Sequence, residues 1–89
     1  MKEPYLEVTY RRGRALAAYY YLPRRTGEKS YRTRRADSGL LVDYSRDGRP
    51  IGIEITAPSK ALRATINRLL RELGQKPIKR AEIAPLHAA

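Results

Sequence analysis

The sequence predicts an α+β domain, a five-stranded antiparallel β-meander with one C-terminal helix packed on one face of the sheet. The first observation is a period-two alternation of apolar and polar residues along 40–45 and 51–56, which is typical of strands with one buried face. The second is a stripe of apolar residues at helical spacing between residues 62 and 73. The third is that the segments between the expected strands are short, which favours antiparallel neighbours.

The hairpin at residues 39–55 is the best-defined pair of strands. Directly opposite residues of an antiparallel pair share a face, so each inward apolar residue should lie opposite another. A two-residue turn at Asp47-Gly48 satisfies this rule, and Asp-Gly suits a type I′ turn because both central residues need positive φ. A four-residue loop gives the same pairs, whereas a three-residue loop would place Asp43 opposite Ile51 and is rejected. The expected pairs are Tyr44 with Ile51, Val42 with Ile53 and Leu40 with Ile55.

The hairpin also contains polar residues at the spacing of a calcium-binding loop. These residues are Asp43, Ser45, Asp47, Gly48 and Glu54. A calcium loop of this kind needs a helix on each side, and both flanks here have the periodicity of strands. In a hairpin, Asp43 and Glu54 lie in diagonal register and Asp47 lies at the tip, so their carboxylates do not converge. We therefore predict no metal site.

A family resemblance is carried by the same stretch, through Asp43-Tyr44, Asp47-Gly48, Gly52-Ile53-Glu54-Ile55 and Ser59-Lys60. These residues resemble the signature of a short bacterial family of uncharacterised proteins, domain of unknown function twenty-two eighty-three, and the resemblance spans about residues 5–60. The acidic turn that the family has early in the chain is absent, because residues 10–14 read Tyr-Arg-Arg-Gly-Arg. The resemblance implies a small meander domain, sometimes encoded beside toxin-like partners, and it implies no activity.

Three further strands are expected before the hairpin, at residues 5–10, 14–22 and 28–36. In the first of them, Leu6, Val8 and Tyr10 should face inward. The second is apolar on both faces, with Leu16, Ala18, Tyr20 and Leu22 on one face and Ala15, Ala17, Tyr19 and Tyr21 on the other. Because one helix covers only one face of the sheet, we expect the Leu16/Tyr20 set or the Ala17/Tyr19/Tyr21 set to pack against a second copy or a partner. A homodimer is therefore predicted.

The helix should open at Pro58 and Ser59, with Ser59 as the N-cap or Pro58 at the first helical position. Gly74 should end it. The apolar stripe consists of Leu62, Ile66, Leu69, Leu70 and Leu73. The domain is thus expected to span residues 1–74. The tail at 75–89 contains Ile78, Ile83 and Leu86, and it is expected to dock as an arm on the sheet or on a second subunit.

Composition excludes several classes of function. A chain of 89 residues makes one domain, and it has no cysteine for a disulfide framework or thiolate chemistry. It has no apolar run long enough to cross a membrane, and residues 1–4 do not start a signal peptide, so we expect a cytoplasmic protein without membrane contact. The single histidine, His87, lies close to the end of the chain, where a general base is not expected. We predict neither an enzyme nor a bound cofactor.

Positive charge is the main functional signal. The formal net charge is +10, and nine of the 19 basic residues lie between Arg11 and Arg35 beside one acid, Glu28. A basic β-ribbon over residues 11–35 would pair guanidinium groups with phosphates and release counterions, so we predict binding of RNA or DNA. A tyrosine within the ribbon could stack on a base. The predicted nucleic-acid-binding residues are Arg24, Arg25, Lys29, Tyr31, Arg32, Arg34 and Arg35.

Other interpretations of this charge stay open. The protein could be an antitoxin-like protein-interaction module that binds an acidic protein partner, or a homo-oligomerising domain. The charge could also protect an edge strand from aggregation. Part of it could be neutralised within the chain, with Arg32 and Arg34 beside Asp43 on the next strand.

Overall fold

The computed structural model describes residues 3–37, 39–61 and 63–87, without the side chain of Ser59. Five strands and two α-helices are present in this part of the chain. They are β1 (Tyr5–Arg11), β2 (Arg14–Tyr21), β3 (Arg32–Asp37), β4 (Leu40–Tyr44), β5 (Pro50–Ile55), α1 (Arg63–Glu72) and α2 (Arg80–Ile83). Short 3₁₀ turns lie at Pro58–Lys60 and Ala84–His87. No helix of the described residues is long and apolar enough to cross a membrane.

The α+β class and the five-stranded antiparallel sheet are confirmed, but the meander order is wrong. The sheet order is β1-β2-β5-β4-β3, so β5 lies between β2 and β4 instead of at an edge. Its residues Ile51, Ile53 and Ile55 are fully buried, which suits a central strand. The highly charged β3 takes the edge, where its unpaired backbone groups face solvent and charged side chains discourage aggregation.

The turn of the β4–β5 hairpin also differs from the prediction. Ser45 and Arg49 close it, with Ser45 N donating to Arg49 O at 2.8 Å, so the loop has three residues and not two. Within it only Gly48 has positive φ, at 87°. A β-bulge at Ile51 then restores the register, because Tyr44 pairs with Pro50 and Asp43 with Gly52. The expected pairs Val42–Ile53 and Leu40–Ile55 are confirmed, and Tyr44–Ile51 is wrong.

In the strands before the hairpin, the side chains lie on the predicted faces of the sheet except near the β1–β2 turn. Leu6 and Val8 pack against the core, whereas Tyr10 is 46% exposed. A register shift in the β1–β2 pair skips Leu16, whose side chain is 55% exposed although Ala18 and Tyr20 are buried. The third strand begins at Arg32, four residues later than expected. The set left on the open face of the sheet is therefore Ala17, Tyr19 and Tyr21.

The core lies between the other face of the sheet and the C-terminal third of the chain. Pro58 opens the 3₁₀ turn and not the α-helix, and α1 starts after it; Leu62 and the Ser59 side chain lie outside the described residues. Ile66, Leu69 and Leu70 of α1 are buried, as the stripe predicts, and Leu73 packs against them. At one end of β3, Arg68 of α1 donates to Asp37 at 2.9 Å.

The segment after α1 belongs to the same core. Ile78, Ile83 and Leu86 are all buried in the cluster that joins the sheet to α1. Asn67 fixes the start of this segment, since Ile78 N donates to Asn67 Oδ1 at 2.7 Å. The Tyr10 hydroxyl donates to the carbonyl oxygen of Pro85 at 2.7 Å, which fixes its end against β1. The tail therefore docks on the sheet of its own chain, which is one of the two sites expected for it.

Candidate nucleic-acid interface

The basic segment 11–35 does not form one two-stranded ribbon. Strands β2 and β3 are separated in the sheet by β5 and β4, so the arginines before β2 and those of β3 lie far apart. Arg11, Arg12 and Arg14 lie at the tip of the β1–β2 hairpin, at the end of the sheet where Ala18 pairs with Ile55. The opposite end, where Arg32 pairs with Tyr44, carries a second group of basic residues: Arg25, Lys29, Arg32, Arg34 and Arg46.

Most of the predicted binding residues are exposed at this second end. Arg32 and Arg34 lie opposite Tyr44 and Val42, on the face of the sheet that carries the helix. Arg35 and Thr33 emerge on the open face, opposite Leu41 and Asp43. Three more of the predicted residues, Arg25, Lys29 and Tyr31, lie in the loop before β3 and are exposed.

One groove collects the arginines of this edge, and we call it the basic groove. It has a volume of about 200 Å³ and lies on the side of the sheet that carries Tyr44. Its side-chain lining consists of Tyr31, Arg32, Arg34, Tyr44, Ser45 and Arg46. No acidic residue is present among the described residues that line it, and none of the ion pairs in the described chain involves its three arginines. Their charge is therefore available to an anionic ligand.

Arg46 is the residue of this groove that sequence reasoning missed. It lies in the hairpin loop, outside the basic segment 11–35, and its guanidinium carbon is 5.1 Å from the centre of the Tyr31 ring. The backbone N–H of Tyr31 donates a hydrogen bond to the carbonyl oxygen of Tyr44 at 2.8 Å, which holds Tyr31 beside the end of β4. The only signal in the sequence was its position, because Arg46 comes shortly after β4, the strand that pairs with β3.

The nearby acids are bound to a fourth arginine. Arg49 forms an ion pair with Glu28 and a second with Asp47, the latter from Nε at 3.0 Å. Asp47 also accepts a hydrogen bond from the buried hydroxyl of Ser45. The hydrogen bonds from Ser45 and Arg49 lower the pKa of Asp47 to about 2, so it stays ionised and paired. Both carboxylates are thus paired with Arg49 and not with the arginines of the groove.

Arg24 is turned away from the basic groove. Its guanidinium lies on the open face, 5.0 Å from the ring centre of Tyr21 and 5.9 Å from that of Tyr19, and it donates to the carbonyl oxygen of Ile51. Its Nε is buried without a hydrogen-bond partner among the described atoms. Arg24 therefore stabilises the open face, and its predicted role in binding nucleic acid has no geometric support.

Tyr19 crosses the central strand of the sheet to reach β4. Its ring lies over Gly52, and its hydroxyl donates to Asp43 Oδ2 at 2.7 Å. Burial and the hydrogen bond to Asp43 raise the pKa of Tyr19 to about 12, so it remains a neutral donor. The second carboxylate oxygen of Asp43 accepts from the hydroxyl of Thr33. The expected neutralisation of Arg32 and Arg34 by Asp43 is wrong, because both arginines are on the other face.

The acids that match a calcium-loop spacing are separated by the hairpin. Asp43 binds Tyr19 and Thr33, whereas Asp47 binds Ser45 and Arg49. Glu54 pairs with Leu41, one diagonal step from Asp43. In the part of the chain that the structure describes, no three potential ligands group around a cation position.

Comparison with known proteins adds no assignment. No family model, no curated protein and no solved structure matches the chain. The resemblance of the hairpin to the uncharacterised bacterial family therefore stays a prediction.

Proposed function

We propose that the protein is a non-enzymatic module that binds nucleic acid through the basic groove and the exposed edge of β3. The observation that carries this proposal is the meeting of Arg32, Arg34 and Arg46 around one groove without an acidic residue in its described lining. Two tyrosines share the groove, which gives it flat apolar surfaces beside the charges. Phosphates beside planar bases are the ligands that such a combination recognises.

The arrangement of the arginines supports contact with a phosphate chain. Arg32 and Arg34 are two residues apart on an extended strand, so their side chains leave the same face about 7 Å apart. A guanidinium pairs with phosphate oxygens through two parallel N–H donors, and each contact releases counterions from the nucleic acid. Arg25 and Lys29 lie beyond the groove, in a neighbouring depression that also contains Glu28 and Asp47, the two acids paired with Arg49.

Protection of the edge against aggregation explains less of the arrangement. Charged side chains along β3 are sufficient for that role. It requires neither the hairpin residue Arg46 nor a tyrosine ring beneath its guanidinium. Binding of an anion uses all of these residues, and we therefore favour it.

The test compares two triple variants that lose the same charge. In the groove variant, Arg32, Arg34 and Arg46 are replaced by glutamine. In the control variant, the exposed residues Arg63, Arg71 and Arg80 of the helices are replaced by glutamine. We expect the groove variant to bind a fluorescent oligonucleotide at least about tenfold more weakly than the native chain, and the control to lose about threefold or less.

Thermal unfolding followed by circular dichroism verifies that both variants are folded. All six positions are on the surface, so both variants should unfold near the temperature of the native chain. Equal losses of affinity in the two folded variants would mean that net charge, and not the groove, determines binding. That result would overturn the proposal.

A further inference from the structure

Tyr31 stands between two depressions on the surface of this edge. On one side is the basic groove with Arg32 and Arg34. On the other is a larger depression of about 750 Å³, which is also lined by Tyr31 and Arg46 and carries Arg25 and Lys29. Glu28 and Asp47 line this depression too, and both are paired with Arg49. A chain of phosphates that runs from one depression to the other has to pass Tyr31. The aromatic ring therefore lies between the basic residues of the two depressions.

The ring of Tyr31 has room for a planar ligand. The side chain is 60% exposed, the most of any large apolar or aromatic residue among those described. Arg46 lies over the ring at 5.1 Å from its centre, which leaves the rest of the aromatic surface uncovered. The hydrogen bond from Tyr31 N to Tyr44 O holds the backbone that carries the ring beside β4. An exposed aromatic ring of this kind is suited to stacking on a base.

We propose that the protein binds single-stranded nucleic acid, with one unstacked base lying on Tyr31 and the neighbouring phosphates held by Arg32 and Arg34 on one side and by Arg25 and Lys29 on the other. This inference rests on the proposed function and names its substrate class. The bases of a duplex are paired and stacked inside the helix, so their flat faces are not accessible to a tyrosine on a protein surface. A single strand exposes them at every nucleotide.

The experiment uses three labelled oligonucleotides of one length with the full-length chain. The first is a single strand, the second is the same strand annealed to its complement, and the third has the same backbone with abasic sites in place of the bases. Affinities are measured by fluorescence anisotropy at one fixed low salt concentration. We expect the single strand to bind at least about fivefold more tightly than either the duplex or the abasic strand.

Two variants at one position separate stacking from charge. Tyr31→Leu should reduce the affinity for the single strand to that for the abasic strand, because the base loses its aromatic surface. Tyr31→Phe keeps the ring and should bind as the native chain does. Neither change removes a phosphate contact, so the salt dependence of binding should be the same in both variants.

The outcomes distinguish this inference from the function on which it rests. If the abasic strand or the duplex binds as tightly as the single strand, the inference is wrong, and the proposed binding of nucleic acid is left to the test of the two triple variants. If Tyr31→Leu binds the single strand as the native chain does, the inference is likewise wrong. If none of the three oligonucleotides binds at low salt, the proposed function fails and the inference fails with it.

Discussion

Arg24 and Arg46 show at the scale of single residues how position decides the role of an arginine. Both stack on tyrosine rings. Arg24 also donates to the carbonyl oxygen of Ile51 and is half-buried, so it contributes to the stability of the open face. Arg46 is exposed and makes no ion pair within the described chain, so it remains available to a ligand. Charge counting along the sequence could not separate these roles, because both depend on contacts between distant residues.

Gly52 is another residue whose role depends on a distant contact. In the sequence it looks like an ordinary outward position of an alternating strand. In the fold, a Cβ atom at this position would lie 1.9 Å from the hydroxyl oxygen of Tyr19 and 2.3 Å from the ring carbon that bears it. Glycine therefore makes the space in which Tyr19 crosses β5 to reach Asp43.

We expect Gly52→Ala to lower the free energy of unfolding by about 1–3 kcal/mol, because Tyr19 has to leave its place and lose the bond to Asp43. The measurement is urea-induced unfolding of four proteins: the native chain, Gly52→Ala, Tyr19→Ala and the double variant. In the Tyr19→Ala background the added methyl group has space, so Gly52→Ala should cost little or stabilise the strand. If the effects of Gly52→Ala and Tyr19→Ala on the free energy of unfolding are additive, the position of the Tyr19 ring does not depend on Gly52.

At the scale of elements, the rule that each inward apolar residue lies opposite another predicted the correct strands and the wrong loop. The rule assumes a regular ladder, and the bulge at Ile51 adds one residue to β5. That residue compensates for the three-residue loop, so Val42 and Ile53 still share a face. The order of strands was also beyond sequence reasoning. The connection between β2 and β3 runs from residue 22 to 31, which is long enough to carry the chain past β5 and β4 to the far edge.

The C-terminal segment gives a prediction at this scale. Ile78 is 2% exposed and belongs to the same cluster as the sheet and α1. Replacing it with alanine leaves a cavity and should lower the free energy of unfolding by about 2–5 kcal/mol. The neighbouring exposed residue Lys79 serves as the control. Lys79→Ala should change the free energy of unfolding by about 0.5 kcal/mol or less. If chemical unfolding shows the same stability for both variants, the tail does not contribute to the core.

At the scale of the whole molecule, the two ends of the sheet have separate sets of arginines. One set lies at the β1–β2 tip, and the other surrounds the basic groove and the β3 edge. The open face between them carries tyrosines, of which Tyr5 stacks on Tyr21 with 4.4 Å between ring centres. A homodimer through this face and an antitoxin-like protein partner stay predictions. The sequence therefore predicted the concentration of charge, and the sheet order determined where that charge is located.

The measurement that tests the central claim most directly is the salt dependence of binding. Anisotropy of a labelled single-stranded oligonucleotide, as RNA and as DNA, is recorded with the native chain at about 50 and about 200 mM salt. Contacts from several arginines to phosphates predict a loss of affinity of about tenfold or more between the two concentrations. Absence of binding at the lower concentration, or an affinity that salt does not change, would contradict the assignment of the basic groove as a phosphate-binding surface.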